Sequence, residues 1–340
     1  MLLAAPLGAI AVTLLVTSLL VAWADAPVGR AYALLLEGGF GSRFAITETL
    51  TRATPLILTG LAAAVAFRAR LYNIGAEGQL YAGVIAAVAV GGLHGGVGLE
   101  LHPWLLWPLM IAAATAAGAL LLLGPALMKR LGVDEVVTTL LLNFIVLLAV
   151  SALLDGPMKD PSALGWPQSV ALQDTMQLDR LIERSRVHTG LVAALALAVA
   201  LWALLRFTTT GFEIRAVGAN ARAAAFAGMP VGWVTVKVAL ISGALAGLAG
   251  AVEVAGRAHY VTLDMSPGYG YSGIVVAMLA MLHPLGVVAA AVFVAGILVG
   301  ADSMSRAVGV PTYIADVIVS AALIAMLVAT MLTQYRVRWR

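Results

Sequence analysis

Among the side chains that could do chemistry, one stands in an unusual place. Glu77 lies in the run NIGAEGQ, near the start of a long apolar stretch, with Asn73 and Gln79 close by. An ionisable group inside an apolar segment is costly in lipid, and it faces a cavity or a partner. Two roles are open to it. Glu77 can line a solute path or gate with Asn73 and Gln79, or it can accept hydrogen bonds from the free amides of a helix start. A second Gly-rich run, SPGYGYSG from Ser266 to Gly273, brings Tyr269 and Tyr271 into a similar setting.

Other chemistry is missing. Lys129, Lys159 and Lys237 are the three lysines, and none is followed by Ser or Thr after a Gly-rich run. With no phosphate loop, the chain is not expected to hydrolyse ATP by the usual route. No HExxH or GxSxG motif occurs. The absence of cysteine removes disulfides, thiolate catalysis and Cys-based metal sites together. The five histidines, His94, His102, His188, His259 and His283, are scattered near helix ends and read as interface residues rather than ligands. No catalytic residue, metal or cofactor is expected.

The elements that position Glu77 follow from composition. Of 340 residues, 62% are apolar and 11% charged, against about 45–50% and about 25% in soluble domains. Lipid must be the solvent for much of this chain. The net charge of +3 does not point to nucleic acid. A spanning helix needs about 20 mostly apolar residues. Ten candidates run near 3–24, 48–67, 72–93, 104–127, 135–154, 188–207, 232–252, 271–282, 285–303 and 312–333, so an all-α polytopic protein of about ten helices is expected, as one domain over 1–340. The first run is longer than a signal peptide's apolar core and is read as a retained helix. The eighth is too short to span and enters through irregular backbone, which is tolerated only inside protein or beside water. If ten passes are assumed, Arg68, Arg70, Lys129, Arg130, the 206–237 region and Arg336, Arg338 and Arg340 share one side, which places both termini in the cytoplasm.

Two polar segments break the apolar pattern. The 155–187 loop falls on the outer side and reads as a structured cap or helical lid. The 208–231 segment falls on the cytoplasmic side. There Asn220 is a good N-cap, residues 221–227 form helix well, Gly228 fits the position just past the helix, and Pro230 follows. A two-turn helix exposing Phe226 and Arg222 suits docking into a partner's groove. Segments 48–154 and 232–333 also look like two inverted halves. Each carries a Gly-rich, Tyr-bearing interruption at its second pass, a pointer to a transport path.

Several of these stretches have a family. Leu71 to Gly83 resembles the signature of ATP-binding cassette (ABC) importer permeases of the branched-chain amino acid and ribose type, and within them the nucleoside permeases that work with a lipoprotein of the basic-membrane-protein kind. Val133 to Asn143 resembles their helix-five entry, Gly211 to Asn220 with Ala223 to Gly228 their ATPase-coupling loop, and Gly268 to Ala277 with His283 to Gly286 their helix-eight region. Two departures stand out: Asp134 replaces an expected Asn, and residues 279–282 lack a common Gly. The resemblance implies a nucleoside-importing permease in the inner membrane, two permease subunits per pore, two ABC ATPase subunits and an extracytoplasmic solute-binding protein. It also implies ATPase coupling through Glu213, Arg215, Asn220, Arg222, Phe226 and Gly228. Sugar or branched-chain amino acid permeases share the scaffold. A secondary transporter would need more coupling carboxylates than Glu77, with Glu253 and Asp316 as marginal candidates.

Overall fold

The computed structural model describes residues 4–24, 26–92, 98–309, 311, 313–314, 316–318, 320–321, 324–325 and 328. The chain is an all-α, multi-pass membrane protein. Its helices are α1 (Ala4–Trp23), α2 (Val28–Phe40), α3 (Arg43–Arg68), α4 (Ala76–Gly91), α5 (Pro103–Met128), α6 (Glu135–Asp155), α7 (Gly190–Phe207), α8 (Thr209–Ala219), α9 (Ala221–Phe226), α10 (Val231–Glu253), α11 (Tyr269–Leu279) and α12 (Pro284–Val308). Helix α10 continues as a π turn over Val254–Ala258.

Among the described residues, six helices are long and apolar enough to cross a membrane, and the count is seven if α1 and α2, bent by 113°, are one broken span rather than a re-entrant loop. The 72–93 segment, read as a full crossing, falls short of one, and the 271–282 segment is short as expected. Helix α4 has 16 residues and α11 has 11, so at 1.5 Å per residue they reach about 24 Å and about 16 Å, short of the ~30 Å hydrocarbon core. Helix α4 starts later than its apolar run because Asn73 turns the backbone, its Oδ1 accepting from Gly75 N at 3.0 Å. The 312–333 segment, His94 and the C-terminal arginines lie mostly or wholly outside the described residues. The sequence reading missed α2, whose apolar pattern is broken by Arg30, Glu37 and the 38–39 glycines.

Two compact units divide the chain, with boundaries inside α3 and α12. In the unit formed by 54–291, α4, α5 and α10 pack closely at small residues. A Cβ on Gly83 would run into the backbone at Gly247, and one on Gly118 into Gly243 and Gly247. Without a hydrophobic drive between helices in lipid, such close approach supplies the dispersion energy that holds the bundle. Helices α3, α10, and to a lesser degree α12, are mostly buried within the protein, while α5, α6 and α7 show most of their surface outward. The half from α3 and the half from α10 share a long, short, long order of lengths: α3, α4, α5 and then α10, α11, α12. The unit formed by 1–53 and 292–340 is pinned by Arg52, which pairs with Asp302 at 2.6 Å and lies 3.7 Å from Glu48.

The 155–187 loop is an ordered cap rather than a helical lid. Its one helical piece is a three-residue turn, Asp174–Met176. The cap is tied by backbone bonds from Ser169 N to Val261 O, Leu172 N to His259 O and Leu178 N to Ala255 O, at 3.0, 2.8 and 2.9 Å.

Candidate functional site: a junction of two short helices

The short helices α4 and α11 present their first turns to each other. Each start leaves backbone amides without intrahelical partners, and within protein at membrane depth these must be satisfied. Side chains from other elements do it. Glu77, in the first turn of α4, accepts from Gly270 N in the first turn of α11 at 2.6 Å, and Ser266 also bonds to its carboxylate. Asn143 of α6 accepts from Gly78 N of α4 at 2.8 Å. The same carboxamide donates to Ile74 O at 2.9 Å and to the Tyr271 hydroxyl at 3.0 Å. Ser266 Oγ accepts from Tyr269 N at 3.0 Å. The helices sit this close because residue 270 is glycine: a Cβ there would strike the backbone at Glu77.

A second network lies behind the first. Asn73 and Gln79 exchange two hydrogen bonds of 2.9 Å, and Asn73 donates also to Ser242 Oγ at 3.1 Å. Ser242 in turn donates to Ala62 O at 2.8 Å. The pair therefore ties the irregular 71–75 backbone to α3 and α10. Thr139 Oγ1 accepts from Ile74 N at 3.2 Å, and Thr59 donates to Tyr269 O at 2.9 Å.

The residues singled out for a path thus fall into two networks. Asn73, Gln79 and Tyr269 are no more than 1% exposed and Glu77 is 4% exposed, whereas Tyr271 is 38% exposed. Glu77 and Asn73 accept from backbone amides, Gln79 braces Asn73, Tyr269 is held through its own backbone, and Tyr271 reaches the surface of the chain. Asn143, Thr139 and Ser242 complete the networks and were not singled out from sequence, although Asn143 closes the 133–143 motif. Asp134 caps α6, accepting from Val136 N at 2.7 Å; Asn would cap equally well, so that departure is chemically neutral.

The 208–231 segment forms two helices. The sequence reading took its first half as loop; it is α8, capped by Thr208, whose Oγ1 accepts from Gly211 N at 3.1 Å. Gly218 lets α8 approach the carbonyl of Arg68 at the end of α3. Glu213 pairs with Lys237 at 3.1 Å, and Arg215 lies near Arg68. Asn220 then caps α9, accepting from Arg222 N at 3.0 Å and Ala223 N at 3.1 Å. Gly228 has φ +84°, and the bonds Gly228 N to Ala225 O and Met229 N to Ala224 O, both 3.0 Å, close a Schellman motif. Ala224 is buried, while Arg222 is exposed and Phe226 is 96% exposed.

One histidine is placed differently from expectation. His188, read as an interface residue, is 1% exposed, and neither ring nitrogen has a hydrogen-bond partner among the described residues. Burial first, then the charges of His259 and Arg257, push its pKa down to about 4.

Comparison with known proteins agrees with this architecture. Residues 45–327 match the family described as branched-chain amino acid transport system / permease component. The chain is 37% identical to the guanosine ABC transporter permease protein NupP of Bacillus subtilis, over 96% of this chain and 92% of that one. It is 36% identical to the glucose ABC transporter permease protein TsgB13 of Haloferax volcanii, over 90% and 82%. It is 31% identical to the nucleoside ABC transporter permease protein NupB of Lactococcus lactis, over 85% and 81%. The match over most of the chain shows the family: the chain belongs to the branched-chain amino acid transport system permease family and is the permease component of an ABC transporter.

Proposed function

We propose that this permease carries a nucleoside into the cytoplasm, driven by ABC ATPase subunits that it contacts through α9. The solute reading is supported by the relatives named for guanosine and nucleosides. The glucose permease of similar identity supports a sugar as the second reading. The observation that carries the coupling role is Phe226: a large apolar side chain, almost wholly exposed, on a six-residue helix fixed at both ends by Asn220 and Gly228. A helix this short draws its stability from packing, and an exposed aromatic anchor fits a pocket on a partner.

In this reading the chain acts as a single permease domain, with both termini cytoplasmic. It forms a pore with a second permease subunit, homologous or identical, and receives solute from an extracytoplasmic solute-binding protein. Tyr271 faces the path. Asn73, Glu77, Gln79 and Tyr269 frame it by holding the α4 and α11 starts in place. Glu213 and Arg215 brace α8 behind the coupling helix, and Arg222 offers a charge beside Phe226. ATP is hydrolysed by the partner.

Co-expression with the ATPase subunits tests the coupling role. Phe226→Ala should leave the permease inserted and its thermal stability unchanged, yet reduce ATPase co-purification by about thirtyfold, the effect of losing an anchor worth ~2 kcal/mol. Normal co-purification and normal uptake in Phe226→Ala would place coupling elsewhere. Uptake of labelled guanosine, competed by unlabelled nucleosides and by glucose, tests the solute. Competition by glucose alone would reverse the two readings.

A further inference from the structure

The turn that ends α11 has a shape its residues do not favour. Met281 N donates to Met278 O at 2.9 Å and Leu282 N to Ala277 O at 2.8 Å, the pair of bonds that closes a Schellman motif. The position just past the helix then takes a left-handed backbone, and glycine is its usual occupant. Here it is Met281, with φ +50°, and Leu282 follows at φ +58°. His283 N donates to Ala280 O at 2.9 Å and completes the turn. A bulky side chain in the left-handed region is strained, and it stays there only where its surroundings hold it.

What holds the turn is Arg68. Its guanidinium, at the end of α3, donates to Leu282 O at 2.8 Å. Among the described residues Arg68 makes no ion pair, and its buried Nε has no hydrogen-bond partner. The grip is therefore on a neutral carbonyl, with no carboxylate to fix the guanidinium in place. The other side of the same residue carries the 208–231 arm. Gly218 of α8 packs so closely that a Cβ there would lie 1.8 Å from Arg68 O. Arg215, also on α8, lies near enough for its charge to act on that of Arg68. A displacement of α8 thus disturbs both the backbone of Arg68 and the charge beside its side chain. At the far end of α11, eleven residues long, stand Gly270 and Tyr271 of the junction. A helix this short is a rigid connection between its two ends.

We infer that Arg68 is a positioning residue of the transport cycle, passing the movement of the α8–α9 arm to α11. With α8 seated on the end of α3, Arg68 holds the 280–283 turn in its strained form. When α8 shifts, Arg68 releases Leu282 O, the turn relaxes, and α11 carries Tyr271 with it. Two arrangements of one turn, biased by a small shift at a packed contact, make such a switch. The inference rests on the reading of the 208–231 arm as the ATPase contact, and it is independent of the solute.

The chain has no cysteine, so introduced cysteines can be spin-labelled selectively. Leu120→Cys on α5 gives a reference, Phe212→Cys reports α8, and Leu285→Cys reports the start of α12 beside the turn; all three positions are exposed. The two distances to residue 120 are measured by double electron–electron resonance. The sample is the permease in nanodiscs with cysteine-free ATPase subunits, with and without a non-hydrolysable ATP analogue. In wild type both distances should shift with nucleotide. Arg68→Leu should keep ATPase co-purification and the Phe212 shift but lose the Leu285 shift. Arg68→Lys, which keeps a charged donor, should restore most of it. Met281→Gly/Leu282→Gly suits the left-handed backbone, so the turn no longer gains by relaxing. That variant should also lose the Leu285 shift, at an equal or higher melting temperature. A merely structural Arg68 would instead lower the melting temperature and leave the Leu285 shift intact in the folded complex, and that result overturns the proposal. So does a wild type in which the Leu285 distance stands still. A glycine variant that keeps the shift overturns it too, and decides the matter alone if Arg68→Leu does not fold. If ATPase association survives Phe226→Ala, the coupling reading of α9 fails separately, and an Arg68-dependent shift at Leu285 still stands.

Discussion

The α4–α11 junction and the α8–α9 arm use the same device in opposite surroundings. In both, a side-chain oxygen accepts from backbone amides at a helix start. Asn220 caps its own helix at the surface, where water can replace it. Glu77 accepts from an amide 193 residues later in the chain, at 4% exposure, where water does not replace it. The comparison teaches that a cap's value is set by what would satisfy the amide in its absence. Near the surface, losing a cap costs about 1 kcal/mol. In the interior, the orphaned amide adds its full desolvation penalty.

The sharpest way to break this contrast is Glu77→Ala. It should destabilise the permease by about 3 kcal/mol, through the orphaned Gly270 amide and the space left behind, and uptake should fall with the folded fraction. Glu77→Gln keeps an acceptor oxygen and should retain most of the stability. Stability measured by denaturant titration in detergent decides it: if Glu77→Ala is as stable as wild type, the junction does not rest on this cap. Asn143→Leu comes next. It removes three bonds but no charge, and about 2 kcal/mol should be lost, with Tyr271 freed; tyrosine fluorescence alongside the melt would show both.

His188 extends the comparison to a buried group whose ring nitrogens have no hydrogen-bond partner among the described residues. Its pKa is about 4 in the folded protein and about 6.5 unfolded. The unfolded chain therefore binds the extra proton between those values. Stability should be level above pH 6.5 and fall by up to about 1.4 kcal/mol per pH unit below it. His188→Phe should flatten that slope, and an unchanged slope would remove His188 as its source. The smallest effect is Asn220→Ala, about 1 kcal/mol of local helix stability. It should appear as faster amide exchange over 221–227 with little shift in the global melting temperature.

How much of this was legible in sequence depended on range. The caps of α9 were readable because Asn220 and Gly228 act within a few residues of themselves. The all-α membrane class was readable because lipid imposes it on composition. Asn73, Glu77 and Gln79 could be singled out as polar groups in an apolar run, but their assignments could not, because the partners that decide Glu77 and Asn73, Gly270 and Ser242, lie far away in the chain. Tyr269 and Tyr271 look alike in sequence, yet one is buried and the other half-exposed, since they lie two residues apart on one helix. Helix α8 was missed although Thr208 heads it, because its eleven residues show no clear apolar face. Helix α2 was missed because its apolar run is short and broken by charge and glycine.

The distance from Glu77 to Gly270 is also an interval of time. A ribosome adding about 5–20 residues per second needs roughly 10–40 s to make the 193 residues between them. Asn143 follows Gly78 by 65 residues, so the amide of α4 finds its acceptor in roughly 3–13 s, well before Glu77 finds its donor. For the remainder, a carboxylate waits in a half-built bundle beside a helix too short to hold itself across the bilayer.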